Sequence, residues 1–310
     1  MLNLNPEVIE STVPQEEVSP LPSDKVKQLF RSVKDRVSLT RRIPRVTYRL
    51  QLNHQFSFSR AKAVVAYLKD LGISDVYISP IFKAKKGSVH GYDILSPNLL
   101  NPEIGTEEDF QAWLGELRSN GLGQILDIVP NHMSIMGSDN IWWQDILENG
   151  PGSIYADFFD INWNPLKSEL KNKVLLAILG DQYGRILENQ ELTLQLQEGS
   201  FAVFYNELKL PLDPKSYTRI LKFRLPELEE KLDREDPDLN ELFSIITALD
   251  HLPSQTETSG ETVQERRREK EIIKKRIMNL YSESPPIRDF LDENVALFNG
   301  RKGMPESFNS

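Results

Sequence analysis

Two short stretches of the sequence bring together side chains that can bind a polar small molecule. The first, SVHGYDI at residues 88–94, places an imidazole, a phenol and a carboxylate at His90, Tyr92 and Asp93. The second, DIVPNH at 127–132, adds a carboxylate, an amide and another imidazole. A tyrosine ring offers a flat face to a pyranose, and the polar groups can hydrogen-bond its hydroxyls. Together these residue types indicate a sugar-binding pocket.

Each stretch follows an apolar run that is typical of a β-strand. The pattern along this part of the chain alternates strands and helices, with strands predicted at 46–52, 73–80 and 124–129 and helices at 59–71 and 106–120. That order is typical of a parallel sheet with crossover helices. A doubly wound sheet and a (β/α)₈ barrel both satisfy it, and in both the strands' carboxyl ends meet at one rim. The two polar stretches are therefore expected to converge.

Each residue also has an ordinary structural interpretation. His90 can bond loop backbone, Tyr92 can pack half-buried, and Asp93 can cap a turn. Asp127 lies at the end of an apolar strand, where we expect a structural role toward neighbouring loop amides. The joint occurrence on one predicted rim is what favours a sugar site.

Composition excludes several classes of function. The formal net charge of −9 argues against nucleic-acid and anionic-membrane partners, which need a basic face. The absence of cysteine excludes disulfides, thiolate metal sites and cysteine nucleophiles. The N-terminus shows no secretory signal and no run approaches the length of a membrane span, so a cytoplasmic location is expected. No cofactor and no metal site is predicted.

The remainder of the chain is less regular. Residues 1–40 are predicted to be a flexible leader with a short helix at 25–34. Beyond residue 132 we expect a β-like patch at 191–205 and charged helices at 225–249 and 261–281. The run Arg266-Arg267-Arg268 alternates with glutamates at helical spacing, which predicts a solvated, salt-bridged helix face rather than a nucleic-acid site.

The motifs resemble a known family. DIVPNH and HGYD resemble conserved regions of the α-amylase superfamily of glycoside hydrolases. Longer segments are similar to the maltooligosyl trehalose synthase family within it, and the likeness runs from about residue 44 to the C-terminus. The segments are PRVTYRLQLNHQFSF at 44–58, LGISDVYISPIFKAKKGSVHGYD at 71–93, NPEIG at 101–105, WWQDILENGPGSIYADFFDINW at 142–163, LGDQYG at 179–184 and PLDPKSY at 211–217.

The resemblance implies a fold and a division of the chain. The expected fold is α/β, a partial (β/α)₈ TIM barrel that contains strands one to three. Residues 41–132 would form its first three βα units. Residues 133–310 would form a long, mainly helical insertion after strand three and the connection toward strand four.

The resemblance also implies a reaction and a set of site residues. The reaction is an intramolecular transglucosylation that converts the reducing-end α-1,4 bond of a maltooligosaccharide to an α,α-1,1 bond, without a cofactor. Positions that contact the sugar correspond to Tyr92, Asp93, His132 and His90. Positions that support the site correspond to Asp127, Asn131 and Arg49.

The sequence departs from the family at the catalytic carboxylates. The nucleophile of the family lies in a strand-four motif of the type GLRIDH, which is absent here, and its acid follows on strand five. We therefore expect the nucleophile and general acid to lie beyond Ser310, the chain alone to be inactive, and a complementing C-terminal polypeptide to be a partner. An α-amylase-type glucan hydrolase and a non-catalytic maltooligosaccharide-binding remnant are the alternatives.

Overall fold

A computed structural model describes residues 23–40 and 42–308. Most of the predicted leader, residues 1–22, lies outside the described residues. Residues Ser23–Thr40 form helix α1, which is longer than the helix expected at 25–34. None of the helices in the described part of the chain has the length and apolarity needed to cross a membrane.

Strands and helices alternate in the first part of the described chain, and three consecutive strands and then five consecutive helices follow in the second part. The strands are β1 (Thr47–Leu50), β2 (Asp75–Ile78), β3 (Phe82–Ala84), β4 (Ile94–Leu100), β5 (Gly123–Leu126), β6 (Leu192–Gln197), β7 (Ser200–Tyr205) and β8 (Leu208–Pro211). The helices are α2 (Phe58–Ala63), α3 (Val65–Asp70), α4 (Glu107–Ser119), α5 (Ile141–Asn149), α6 (Tyr183–Glu188), α7 (Tyr217–Leu221), α8 (Leu225–Lys231), α9 (Pro237–His251), α10 (Gly260–Glu283) and α11 (Pro285–Phe298).

The predicted parallel sheet is present, with strand order β1-β2-β5. Arg49 lies opposite Tyr77, which lies opposite Ile125. Side chains alternate between the two faces of a strand, so these three residues share one face. Leu50 and Ile78 lie on the other face, where they are buried.

Helices α2, α3 and α4 cover that second face. Its core includes Leu50 and Ile78 from the strands and Phe58, Leu68 and Trp113 from the helices. Burial of large apolar side chains of this kind contributes about 1.5–3 kcal/mol for each residue. Arg49 and Tyr77 lie on the opposite face of the sheet, away from this core.

Helix α4 begins where the sequence predicted. Thr106 is its N-cap and accepts a hydrogen bond from the backbone N–H of Asp109, whose carboxylate accepts one from the backbone N–H of Thr106. This capping box satisfies backbone donors that the first turn would leave free.

Two long helical patterns are each divided in the structure. The pattern at 59–71 gives α2 and α3, which are separated at Val64, where ψ is 1°. The pattern at 225–249 gives α8 and α9, because Asp236 and Pro237 start a new helix. The Asp236 carboxylate accepts hydrogen bonds from two backbone N–H groups of the first turn, and proline is favoured at the first helical position.

The second half of the described chain forms its own packed unit. Strands β6, β7 and β8 make an antiparallel sheet, and helices α7 to α11 pack against one face of it. The core there includes Leu194 and Phe201 from the sheet and Ile245, Ile277 and Leu291 from the helices. The patch expected at 191–205 therefore forms a hairpin of two strands, β6 and β7.

The expectation of a solvated arginine face is wrong for Arg266. Its side chain is buried, with 1% relative exposure, and its Nη2 lies 2.7 Å from Asp213 Oδ1. It also donates to the backbone oxygen of Pro253 and to Asn149 Oδ1. Arg266 lies on the inner face of α10, where the neighbouring elements supply acceptors that the local charge pattern cannot show.

Candidate sugar-binding site

The residues of the candidate site lie at the carboxyl ends of the parallel strands. Arg49 and Tyr77 belong to β1 and β2, and Asp127 directly follows β5. Tyr92 lies between β3 and β4, which pair as an antiparallel hairpin immediately after β2. Since Asp127 is two residues beyond Ile125, it shares the face of Arg49 and Tyr77.

Asp127 is the centre of this cluster. Its Oδ2 accepts a hydrogen bond from the Tyr92 hydroxyl at 2.5 Å and another from the Tyr77 hydroxyl at 2.6 Å. Arg49 Nη2 donates to the Tyr92 hydroxyl at 3.3 Å, and its Nη1 lies 3.9 Å from Asp127 Oδ2. Two strands and the hairpin are thus tied to one carboxylate.

The contacts of Asp127 also set its charge. Desolvation raises the pKa of this carboxyl, but the hydrogen bonds from Tyr77 and Tyr92 and the charge of Arg49 outweigh it, so its pKa lies below the usual 3.8. The same hydrogen bond raises the pKa of Tyr77, because the phenol is the donor to a carboxylate. At neutral pH the Asp127–Tyr77 pair is therefore a carboxylate with a protonated phenol.

The backbone of Tyr92 is contacted by two histidines, one of which also lies beside its ring. Its backbone N–H donates to His90 Nδ1 at 3.1 Å, and the two rings are 6.0 Å apart at 30°. His132 Nε2 lies 3.1 Å from the backbone oxygen of Tyr92. The structure therefore brings Arg49, Tyr92, Asp127 and His132 together around one half-buried aromatic ring.

The turn before Tyr92 has its own fixed geometry. Ser88 Oγ donates to Asp93 Oδ1 at 2.5 Å and accepts from the backbone N–H of Gly91 at 3.1 Å. Gly91 has φ +77°, and a Cβ there would come 2.9 Å from the backbone oxygen of Pro80. Glycine is therefore required at position 91. One oxygen of the Asp93 carboxylate accepts the hydrogen bond from Ser88 and so stabilises the turn.

His90 and Asn131 lie at the exposed side of this rim. The His90 side chain is 53% exposed, and its Nδ1 is 3.9 Å from Asp93 Oδ1. Asn131 is exposed and directly precedes His132. The arrangement offers an aromatic face bordered by hydrogen-bonding groups, which can bind a sugar ring. Asp127 Oδ2, already bonded to two phenols, is poorly placed to act as a nucleophile.

Sequence reasoning missed Tyr77. We interpreted it as part of an apolar strand, yet its hydroxyl reaches Asp127 and its ring lies 5.0 Å from the Arg49 guanidinium carbon, a cation–π contact. The available signal was its hydroxyl between the apolar residues Val76 and Ile78 of the same strand.

Comparison with known proteins shows which proteins this part of the chain resembles. Residues 63–184 match the sequence profile of the alpha-amylase family, described as "Alpha amylase, catalytic domain". This segment of the chain is similar to the alpha-amylase catalytic domain, and it includes Tyr92, Asp127 and His132.

The predicted resemblance to maltooligosyl trehalose synthases is also confirmed. The chain is 37% identical over 169 residues to a putative maltooligosyl trehalose synthase of Mycobacterium tuberculosis, a match that covers 50% of this chain and 21% of that protein. A solved structure of a maltooligosyl trehalose synthase aligns at 35% identity with a TM-score of 0.50, over 55% of this chain and 22% of that one.

A maltogenic amylase is similar over a shorter stretch. The intracellular maltogenic amylase of Bacillus subtilis is 38% identical over 103 residues, which are 33% of this chain and 17% of that enzyme. The matched part of the chain thus spans about a fifth of the length of the curated relatives.

Proposed function

We propose that this chain provides the sugar-binding part of an enzyme that converts maltooligosaccharides to maltooligosyl trehalose, as a (1→4)-α-D-glucan 1-α-D-glucosylmutase. The observation that carries the proposal is the Arg49–Tyr92–Asp127 cluster at the strand ends, within a segment similar to maltooligosyl trehalose synthases. In this proposal the three parallel strands are part of a (β/α)₈ barrel, and the reaction is an intramolecular transglucosylation in trehalose biosynthesis.

The proposed roles follow the contacts. Tyr92 stacks on the sugar ring, and Asp93, His132 and His90 hydrogen-bond its hydroxyls. Asp127 orients Tyr92 by accepting a hydrogen bond from its hydroxyl, and the hydrogen bonds from Tyr77 and Tyr92, with the charge of Arg49, favour the ionised carboxylate. Asn131 supports the same loop.

The proposal assigns no catalytic carboxylate to residues 1–310. A retaining glycosyl transfer needs a carboxylate nucleophile and a carboxylic acid on either side of the glycosidic bond. We propose that polypeptide outside residues 1–310 supplies both, and that the isolated chain binds maltooligosaccharide without rearranging it. A glucan hydrolase is the second candidate, favoured by the similarity to the maltogenic amylase.

Binding by the purified chain tests the sugar site. We expect saturable binding of maltopentaose in isothermal titration, and Tyr92→Ala to abolish it because the stacking face is lost. Tyr67→Ala is the matched control, since Tyr67 is exposed on α3, outside the Asp127 cluster. Equal affinity of the Tyr92→Ala variant and the wild type would contradict the assigned site.

Product analysis separates the two reactions. The chain is isolated from its native cells with its bound partners and incubated with maltopentaose. Loss of reducing ends without a change in product mass indicates isomerisation, whereas a gain of reducing ends indicates hydrolysis. We also expect that the purified 310-residue chain alone changes neither the number of reducing ends nor the mass of the sugar.

A further inference from the structure

Helix α1 (Ser23–Thr40) presents an apolar stripe to solvent. The stripe consists of Val26, Leu29, Phe30, Val33 and Val37, which recur every three or four residues and so share one face. Each of these side chains is between 48% and 69% exposed. Neither of the two hydrophobic clusters that the described residues form includes a residue of this helix. Most helical stability in proteins comes from packing of an apolar face, so the stripe is expected to bind a further surface.

The charge of α1 is opposite to that of the rest of the chain. The helix carries five basic and two acidic side chains, a net charge of +3, whereas the whole chain has −9. The other residues together therefore carry −12. The charge of the whole chain argues against an anionic membrane, but it conceals this local basic segment. Since residues 24–38 are all exposed, an anionic surface can approach the basic side chains of α1.

The basic side chains border the apolar stripe on both sides. Lys27 and Lys34 are seven residues apart, which is two helical turns, and they lie along one border. Lys25 and Arg36 are three turns apart and lie along the other border. Lysine and arginine at such positions can lay their apolar stems beside the stripe while the charged ends extend outward.

The acidic side chains lie on the face farthest from the stripe. Asp24 and Asp35 are also three turns apart, and both lie opposite Val33. In a helix that lies flat on a bilayer, the apolar face enters the boundary between headgroups and acyl chains, and the opposite face points to water. The border cations then lie at the level of the lipid phosphates, and the acids lie away from them. A second copy of α1 would bring the same basic borders together, which disfavours self-association.

These positions of apolar, basic and acidic residues select the kind of surface. We propose that α1 is a membrane-surface helix that attaches the chain to an anionic phospholipid bilayer. The helix lies in the interface rather than across it, in line with its charged faces. The acidic remainder of the chain is repelled by the same lipids, so the attachment is confined to α1 and depends on ionic strength. The proposal does not depend on the sugar site.

The test is co-sedimentation of the whole 310-residue chain with lipid vesicles. One set of vesicles contains phosphatidylglycerol in phosphatidylcholine, and the other contains phosphatidylcholine alone. We expect saturable binding to the anionic vesicles, about tenfold or more weaker binding to the neutral ones, and weaker binding as salt is added.

Two substitutions separate the apolar and the basic contributions. Phe30→Gln should weaken binding about tenfold or more because the largest side chain of the stripe is lost. Its control is Tyr67→Gln, an exposed aromatic residue on α3. Lys27→Glu combined with Lys34→Glu should weaken binding about twentyfold or more because one basic border becomes acidic.

The control for the charge change has the same net charge. Lys231→Glu combined with Lys275→Glu changes two exposed lysines on α8 and α10 and should leave vesicle binding unchanged. Thermal unfolding confirms that each variant is folded.

A fluorescent probe tests which face of α1 meets the lipid. The chain contains no cysteine, so one introduced cysteine can be labelled alone with the polarity-sensitive nitrobenzoxadiazole group. The probe at Val33→Cys, in the stripe, should brighten when anionic vesicles are added. The same probe at Gln28→Cys, on the polar face, should keep the emission that it has in water.

Three outcomes would overturn the proposal. The first is no sedimentation of the chain with anionic vesicles. The second is sedimentation that the α1 variants do not weaken, which would place the contact elsewhere on the chain. The third is a Phe30-dependent dimer in sedimentation velocity without vesicle binding, which would assign the stripe to a second copy of the chain.

Discussion

Two arginines of α10, Arg266 and Arg268, are expected to differ sharply in their contribution to stability. Arg266→Met removes a guanidinium that is 1% exposed and donates to Asp213, Asn149 and the backbone oxygen of Pro253. Removing one partner of a buried ion pair costs about 3–5 kcal/mol. Asp213 keeps 26% side-chain exposure and a hydrogen bond from the Lys215 backbone N–H, so the lower end, about 3 kcal/mol, is expected.

The matched control is two residues away. Arg268 is 67% exposed and pairs only with its neighbour Glu269 among the described residues, so Arg268→Met should cost less than about 0.5 kcal/mol. Urea titration at neutral pH measures the free energy of unfolding of both variants. The fluorescence of Trp142 and Trp143, which lie on α5, reports the transition. Unfolding free energies of the two variants that agree within about 0.5 kcal/mol would refute the structural role of Arg266.

A double variant tests the pairing itself. Arg266→Met with Asp213→Asn removes both charges, and the cost of leaving Asp213 unpaired disappears. The double variant should lose less unfolding free energy than the two single variants lose in sum, because the effects of substituting residues in contact are not additive. Additive losses would show that the two side chains act independently.

Further predictions concern the Asp127 cluster and the first helices. Because the folded pKa of Asp127 lies below its unfolded value of 3.8, its stabilising effect is present above about pH 4 and is lost as pH falls through the folded pKa. The difference in Tm between wild type and Asp127→Asn should therefore shrink from pH 7 to pH 3, and a constant difference would contradict the ionised pair. Tyr77→Phe removes one hydrogen bond to this carboxylate, so its pKa, read by carboxyl NMR, should rise, and an unchanged value would contradict the contact. Thr106→Ala removes the α4 cap and should lower the unfolding free energy by about 1 kcal/mol in urea titrations. Ser119→Ala at the other end of α4 removes only an exposed hydrogen bond to the backbone oxygen of Glu116 and should be nearly neutral.

Local sequence signals predicted the elements that have local causes. Thr106 and the acids after it predicted the start of α4, because a cap acts within one helical turn. The first parallel strand was predicted from its alternating residue types and the other two from their apolar runs. The convergence of Tyr92 and Asp127 was predicted from the rule that strand ends share a rim.

Features that depend on distant partners were not predicted. The buried state of Arg266 is set by Asp213 and Asn149, which are 53 and 117 residues away in the chain. The role of Tyr77 depends on Asp127, 50 residues away, and on the register that places it opposite Arg49. Spacing along one segment carries no information about such contacts.

The central proposal is that Tyr92 and the Asp127 cluster bind the sugar in a trehalose-forming glucosyl transfer. The most direct test is the reducing-end assay with maltopentaose on the assembly isolated from native cells through this chain. We predict that reducing ends disappear while the product mass stays that of the substrate. Tyr92→Ala in the same assembly should prevent the loss of reducing ends. A gain of reducing ends, or no reaction by an assembly that still binds maltopentaose, would contradict it.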